Sequence, residues 1–335
     1  MLHLWRNRFG RTVLLAAVFI HIGCAANAPS EHLGSEYVPA EFQAGEELSV
    51  LSESHLDSLN RYMSTVAITT TFQVPERGTD IRTCSGVLIH PRVVLTAGHC
   101  VCHERQPVPP EASDVSILDK STCAKVTTVR VFRYEAAEQD EPRAQELGAY
   151  SGRVQAHEDL RILYREIETG NGWQTSAESS NADLAVIILD HPLREPVKPV
   201  RLAEQWVRLK ERVLMVGYGA TSALVKSTKP VRRYGENEVI SIREDGATFH
   251  VGKPYEIEPV YRGEKPGLFR AKGSYAEKGD SGGPCFRESQ GGLELVGVAK
   301  STLSPPVVLS SYTSVPKYLA WIRQKLAEVE TGSAD

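Results

Sequence analysis

Short runs of β-branched and aliphatic residues, separated by turn residues, fill the chain from Val66-Ala67-Ile68-Thr69 onward. Such runs, bounded by glycine, proline or polar clusters, predict strands rather than helices. Val87-Leu88-Ile89-His90-Pro91-Arg92-Val93-Val94-Leu95 predicts a hairpin of buried strands, and Ala185-Val186-Ile187-Ile188-Leu189 predicts another strand of the same kind. Only the carboxyl end changes period: Leu319, Ile322 and Leu326 recur at helical spacing and predict a terminal helix over residues 315–329. Ahead of Val66, Leu48, Leu51, Leu56 and Leu59 give a looser helical spacing with no strong cap. Residues 135–180 are long, charged and poor in strand-like runs, which predicts a surface insertion with helix over 158–167. The pattern as a whole predicts an all-β fold closed by one helix.

The first residues break this pattern. Arg6, Arg8 and Arg11 precede Val13-Leu14-Leu15-Ala16-Ala17-Val18-Phe19-Ile20, and small residues follow, the order of an export signal over residues 1–23. Gly23-Cys24 resembles a bacterial lipoprotein cleavage site, which implies lipidation at Cys24 and placement at an outer membrane. His21 stands where that pattern has leucine, so simple signal cleavage and secretion is the other reading. Residues 24–62 then read as a polar tether or pro-segment. The chain has 335 residues and a net charge of −4, with no basic surplus to suggest nucleic acid as a partner. No second apolar stretch is long enough to cross a bilayer, so membrane contact is expected only through a lipid on Cys24.

Chemistry concentrates in three segments. Lys278-Gly279-Asp280-Ser281-Gly282-Gly283-Pro284 places a serine on a tight glycine turn, where its hydroxyl is exposed and backbone N–H groups converge. Acyl transfer needs both a nucleophile and donors for the oxyanion its attack creates. A hydroxyl is a weak nucleophile and needs a base whose pKa lies near the working pH; Thr96-Ala97-Gly98-His99-Cys100 supplies a histidine directly after the strand hairpin. Asn181-Ala182-Asp183-Leu184 supplies a carboxylate, opening a strand, that could orient the imidazole. Cys100-Val101-Cys102-His103 also suggests zinc, but a second ligand pair at metal-site spacing is missing, so no metal or other cofactor is expected.

In the order His99, Asp183, Ser281, each inside its own signature, the chain resembles trypsin-like (chymotrypsin-fold) serine proteases. Cys84-Ser85-Gly86-Val87-Leu88-Ile89, Gly217-Tyr218-Gly219, Tyr312-Thr313 and Trp321-Ile322 extend the likeness over about three quarters of the chain. The resemblance implies two six-stranded antiparallel Greek-key barrels, over 63–200 and 201–335, with the insertion in the first and a terminal helix in the second. It implies a serine endopeptidase acting on polypeptides through an acyl-enzyme, with His99, Asp183 and Ser281 catalytic. Gly279 and Ser281 would supply the oxyanion N–H groups, and Tyr275, Lys278, Thr302 and Ser310 would border the substrate pocket. It implies a Cys84–Cys100 bridge; Cys102 with Cys123 follows as the second pair, and Cys285 as a buried thiol. A monomer is expected. His157 resembles a non-catalytic histidine of the family.

Three departures bear on function. No Ile-Val-Gly-Gly stretch precedes Val66, so the partner of Asp280 is open between a new amino terminus near Val50-Leu51 and an internal cation. The cysteine pair that frames the family's pocket is absent, with Glu277 at one of its positions. Lys300 stands where a serine normally supports the aspartate, unless the register slips to Ser301. Tyr275 replaces the aspartate of a trypsin, which predicts a small or uncharged residue at the cleaved position. A catalytically silent surface binding module is the alternative reading.

Overall fold

A computed structural model describes residues 50–332, apart from 52, 75–77, 107–113, 136–142, 170–171, 195, 220–230, 254–256, 263–264, 272 and 304–307. The export signal, with Cys24, and the tether up to residue 49 lie outside the described residues.

The first barrel closes from six strands: β1 (Thr65–Val74), β2 (Gly78–His90), β3 (Val93–Thr96), β4 (Val126–Glu135), β5 (Arg143–Ala156) and β6 (Ala185–Leu189). Its shortest strands, β3 and β6, are buried at every position, which explains why they are continuous apolar runs rather than alternating ones. The second ring comprises β7 (Arg212–Gly217), β8 (Arg233–Ile242), β9 (Thr248–Val251), β10 (Pro284–Ser289), β11 (Gly292–Leu303) and β12 (Leu309–Ser314). Antiparallel pairing runs β7–β8–β9–β12–β11–β10 and back to β7, so no edge is left unpaired in this ring. The chain crosses between barrels through Arg201–Leu202, which pairs with β11. Helix α1 (Leu319–Glu330) packs Trp321, Ile322 and Val329 onto the core, with Leu326 partly buried against it.

Two local expectations fail. Residues 158–167 form no helix: Arg161–Thr169 is a strand between Val115–Asp119 and Gly172–Asn181 in a three-stranded sheet. The spacing Leu160, Leu163, Tyr164, Ile167 reads as helical, but Leu160 and Ile162 are the buried pair and Tyr164 packs on the same core, an alternating face. Arg165 reinforces the pairing by bridging Glu178 on one flanking strand and Asp114 just before the other. The insertion is therefore strand-rich rather than strand-poor. The second failure is the Leu48–Leu59 spacing. Its described part holds two short strands, Val50–Leu51 and His55–Leu56, the latter paired with β8. Leu59 is 75% exposed, so no apolar helix face exists to bury.

Candidate active site

β3 delivers the chain into a 3-10 turn over Gly98–Cys100, and that turn carries His99. The His99 N–H donates to Asp183 Oδ1 at 2.9 Å, and Nδ1 lies 2.8 Å from Asp183 Oδ2. A carboxylate only accepts, so Nδ1 carries the proton and Nε2 is left as the basic nitrogen. Arg82 braces the same turn, donating from Nη1 to the His99 and Cys102 carbonyls at 3.0 Å each. The Cys84–Cys100 disulfide ties the turn to β2, and a second bridge joins Cys102 to Cys123.

Asp183 is 2% exposed. Ala182 before it has φ 44°, and its N–H donates to the Tyr318 hydroxyl at 3.2 Å; the Asp183 carbonyl accepts from Thr313 Oγ1 at 3.4 Å. The backbone around Asp183 is thus tied to second-barrel side chains. Burial opposes ionisation of Asp183, but the His99 ring, its two hydrogen bonds and the nearby Lys300 ammonium hold the carboxyl below its ordinary value. Lys300 is the extra residue of a bulge between Ala299 and Ser301, and burial lowers its own pKa. The exposed Ser301 does not take the supporting place.

The serine turn lies against the histidine turn. Ser281 accepts the Ser85 N–H at its carbonyl (2.8 Å), and that carbonyl oxygen sits 3.4 Å from Cys100 Sγ. Gly282, at φ +79°, approaches β3 so closely that a Cβ would stand 2.1 Å from Thr96 Oγ1; only glycine fits. Among the described residues no hydrogen bond joins the Ser281 hydroxyl to the His99 ring, and Nε2 has Cys100 Sγ at 3.9 Å. Bonds of this kind are often long without substrate and tighten when it binds. Neither Gly279 nor Ser281 spends its N–H on an acceptor among the described residues, whereas the intervening Asp280 N–H bonds the Glu277 carbonyl at 2.9 Å. Gly279 has φ +104°. This turn therefore carries two N–H groups with no acceptor among the described residues.

The side chains expected to border a pocket fall into different places. Tyr275 is 5% exposed, and its hydroxyl accepts the Lys253 N–H at 2.9 Å. Ser310 is fully buried, with its hydroxyl accepting the Ala276 N–H at 2.7 Å. Lys278 is exposed beside the serine turn, and Thr302 pairs with Ser310 through the β11–β12 ladder. His157 is packed between the Tyr318 and Trp321 rings, away from chemistry. Cys285 is a buried free thiol whose pKa burial pushes well up. Cys84, His99 and Cys100 bring three ligand-type atoms within 4.8 Å of one another, but both sulfurs are spent in the disulfide and cannot bind a metal as thiolates.

Sequence reasoning missed the bracing groups. The Ser85 hydroxyl accepts the Tyr218 N–H and donates to the Gly279 carbonyl, both at 2.9 Å. Its only signal was its place beside Cys84. Arg82 carried no signal at all.

The family model described as Trypsin matches residues 60–141 and 147–322. Chymotrypsin of Phaedon cochleariae is 26% identical over 263 residues, covering 75% of each chain. Phenoloxidase-activating enzyme 1 of Spodoptera litura is 24% identical over 268 residues, which cover 75% of this chain and 61% of that protein. The chain thus spans less than two thirds of the latter's length.

Proposed function

The chain belongs to the trypsin family of serine proteases, and from that premise we propose that it is an active serine endopeptidase with His99, Asp183 and Ser281 as its catalytic groups. One observation carries this reading: the Asp183-bound imidazole meets a serine turn that keeps two N–H donors free. His99 Nε2 takes the Ser281 proton as Oγ bonds to the scissile carbonyl carbon. The carbonyl π electrons move onto oxygen, which the Gly279 and Ser281 N–H groups receive. The C–N bond then breaks, the imidazolium protonates the leaving amine, and an ester remains on Ser281. Water, deprotonated by the same nitrogen, attacks that ester, and collapse returns the proton to Ser281 Oγ and frees the acid. Asp183 stays ionised throughout and stabilises the imidazolium.

The substrate is a polypeptide with a small or uncharged residue at the cleaved position. Neither Tyr275 nor Ser310 carries a carboxylate to pair with a lysine or arginine side chain, and both hydroxyls accept backbone N–H groups. The protein acts as an exported monomer, held to the envelope through Cys24 or secreted after signal cleavage. Among the described residues no helix is long and apolar enough to cross a membrane. Amino-terminal sequencing of the mature protein separates the two export routes.

A fluorophosphonate probe tests the catalytic reading. Labelling of the native protein that vanishes on denaturation and in Ser281→Ala is expected, together with loss of peptide hydrolysis. An undiminished alanine variant, or a native wild type that never labels, defeats it; the latter leaves the silent binding module.

A further inference from the structure

Behind the serine turn lies a buried ion pair that acyl transfer does not use. Asp57 and Arg232 are 1% and 0% exposed, and Arg232 Nε donates to Asp57 Oδ2 at 2.8 Å. Asp57 stands on the amino-terminal segment, after the strand His55–Leu56 has paired with β8 and before β1 opens the first barrel. Its Oδ1 accepts the Arg61 N–H (2.8 Å) and Oδ2 also accepts the Tyr62 N–H (3.1 Å), so both carboxylate oxygens are engaged. Arg232 Nη1 donates to the Phe132 carbonyl in β4 and to the Tyr218 hydroxyl, both at 3.0 Å. One guanidinium therefore joins the amino-terminal segment, the first barrel and the residue that follows β7. Two charges taken out of water seldom outperform apolar packing in stability alone, which points to a positional role.

Tyr218 carries the connection onward. Its N–H bonds Ser85 Oγ, and that hydroxyl bonds the Gly279 carbonyl, at 2.9 Å each. The next residue, Gly219, donates its N–H to Asp280 Oδ1 at 2.7 Å, while Asp280 Oδ2 accepts the Glu277 N–H at 2.8 Å. Tyr218, through Ser85 Oγ, thus holds the Gly279 carbonyl and Gly219 holds the Asp280 side chain; the Gly279–Asp280 peptide between them joins the two neighbouring peptides that carry the Gly279 and Ser281 N–H groups. Among the described residues no cation pairs with Asp280; its carboxylate is held by neutral amides. The cavity beside it is about 30 Å³, room for a water molecule. Ser54 lines that cavity, and the Glu53 N–H bonds the Gly273 carbonyl at 3.1 Å, so uncut chain already occupies the approach.

We propose that the Asp57–Arg232 pair is an internal anchor that, through Tyr218, keeps the oxyanion donors of the uncut chain in place, so that no freed amino terminus is needed to form the site. Asp57, Arg232 and Tyr218 are positioning residues, and the proposal rests on the protease reading above.

The test uses the full mature protein, with continuity through residues 53–63 verified by intact mass, a p-nitrophenyl ester and the fluorophosphonate probe. Tyr218→Phe removes one hydroxyl and leaves the ion pair; Asp57→Asn keeps shape and removes the charge. Each is expected to lower kcat and the labelling rate by about 10- to 100-fold, less than the roughly 100- to 1,000-fold expected for loss of an oxyanion donor. KM should stay within about threefold, because the binding cleft is untouched. Wild-type kcat in both variants overturns the anchor, as does a wild type that labels only after cleavage upstream of Asp57. A lowered melting temperature with unchanged kcat in the folded protein also overturns it, since that is the mark of a purely structural pair. A wild type that labels neither cut nor uncut sinks the protease reading and the anchor together.

Discussion

At the scale of single residues, short contacts decide what the site tolerates. Gly219 is a clear case: a Cβ there would stand 2.5 Å from both Cγ and Oδ2 of Asp280. Asp280 is short and held at both oxygens, so it cannot swing away without giving up a bond that fixes the serine turn. Gly219→Ala is therefore expected to destabilise by about 1–3 kcal/mol, the usual cost of overpacking, and to lower kcat more than it changes KM. Urea denaturation and steady-state kinetics check the two halves; unchanged kcat would show that the contact relaxes harmlessly. His99, Asp183 and Ser281 were legible from the sequence because each carries its own neighbours as a signature. The bracing roles of Ser85 and Tyr218, though both stand inside motifs of their own, were not, nor were Arg82 and the Asp57–Arg232 pair. Their partners are remote in the chain (Ser85 and Gly279 differ by 194 positions), and nothing local records a distant hydrogen bond.

At the scale of elements, apolar runs long enough to be buried on both faces were readable, and strands defined by their partners were not. β3, β6 and the terminal helix announce themselves through side-chain period. β5, by contrast, is mostly exposed or half-buried along Arg143–Ala156 and exists because β4 and β6 pair with it on either side. The same holds for Arg161–Thr169, whose apolar spacing mimics a helix while cross-strand partners fix a sheet. Among the elements of the site, the His99 turn is secured twice. The Cys84–Cys100 bridge closes a 16-residue loop, and Arg82 holds the His99 carbonyl independently. Loop closure of that size stabilises by about 3 kcal/mol in the chain-entropy account. Replacing both cysteines with serine should cost about that much in denaturant unfolding while leaving kcat of the folded protein within about tenfold. A larger kcat loss in a folded double variant would mean that the bridge, not Arg82, aims the imidazole.

At the scale of the whole molecule, the acids behind the serine turn couple folding to pH. Burial raises the Asp280 carboxyl to about 6. Burial and then the Asp280 charge raise Glu277 to about 7. Their unfolded values lie near 4, so between about pH 4 and 7 the folded protein binds more protons than the unfolded chain. Stability from these two groups is fully present at the acid end and is lost as pH rises through that window. His157 and His250 act in the opposite sense, because burial lowers their folded pKa and favours folding as pH rises towards the ordinary histidine value. Asp183, held below its ordinary value, contributes stability that disappears only in stronger acid. Every shifted group, Asp114, Asp119 and Glu328 included, adds to the wild-type profile, so the Glu277 contribution is isolated by difference. Glu277→Gln removes one titration and its repulsion with Asp280. Its melting temperature relative to wild type should therefore climb by about 2 to 4 °C between about pH 5 and pH 8, a modest figure because Glu277 is only partly buried. A difference that stays flat across that range would mean that Glu277 is ionised in the folded state at pH 5, and that the turn carrying Ser281 tolerates two adjacent negative charges without loss of stability.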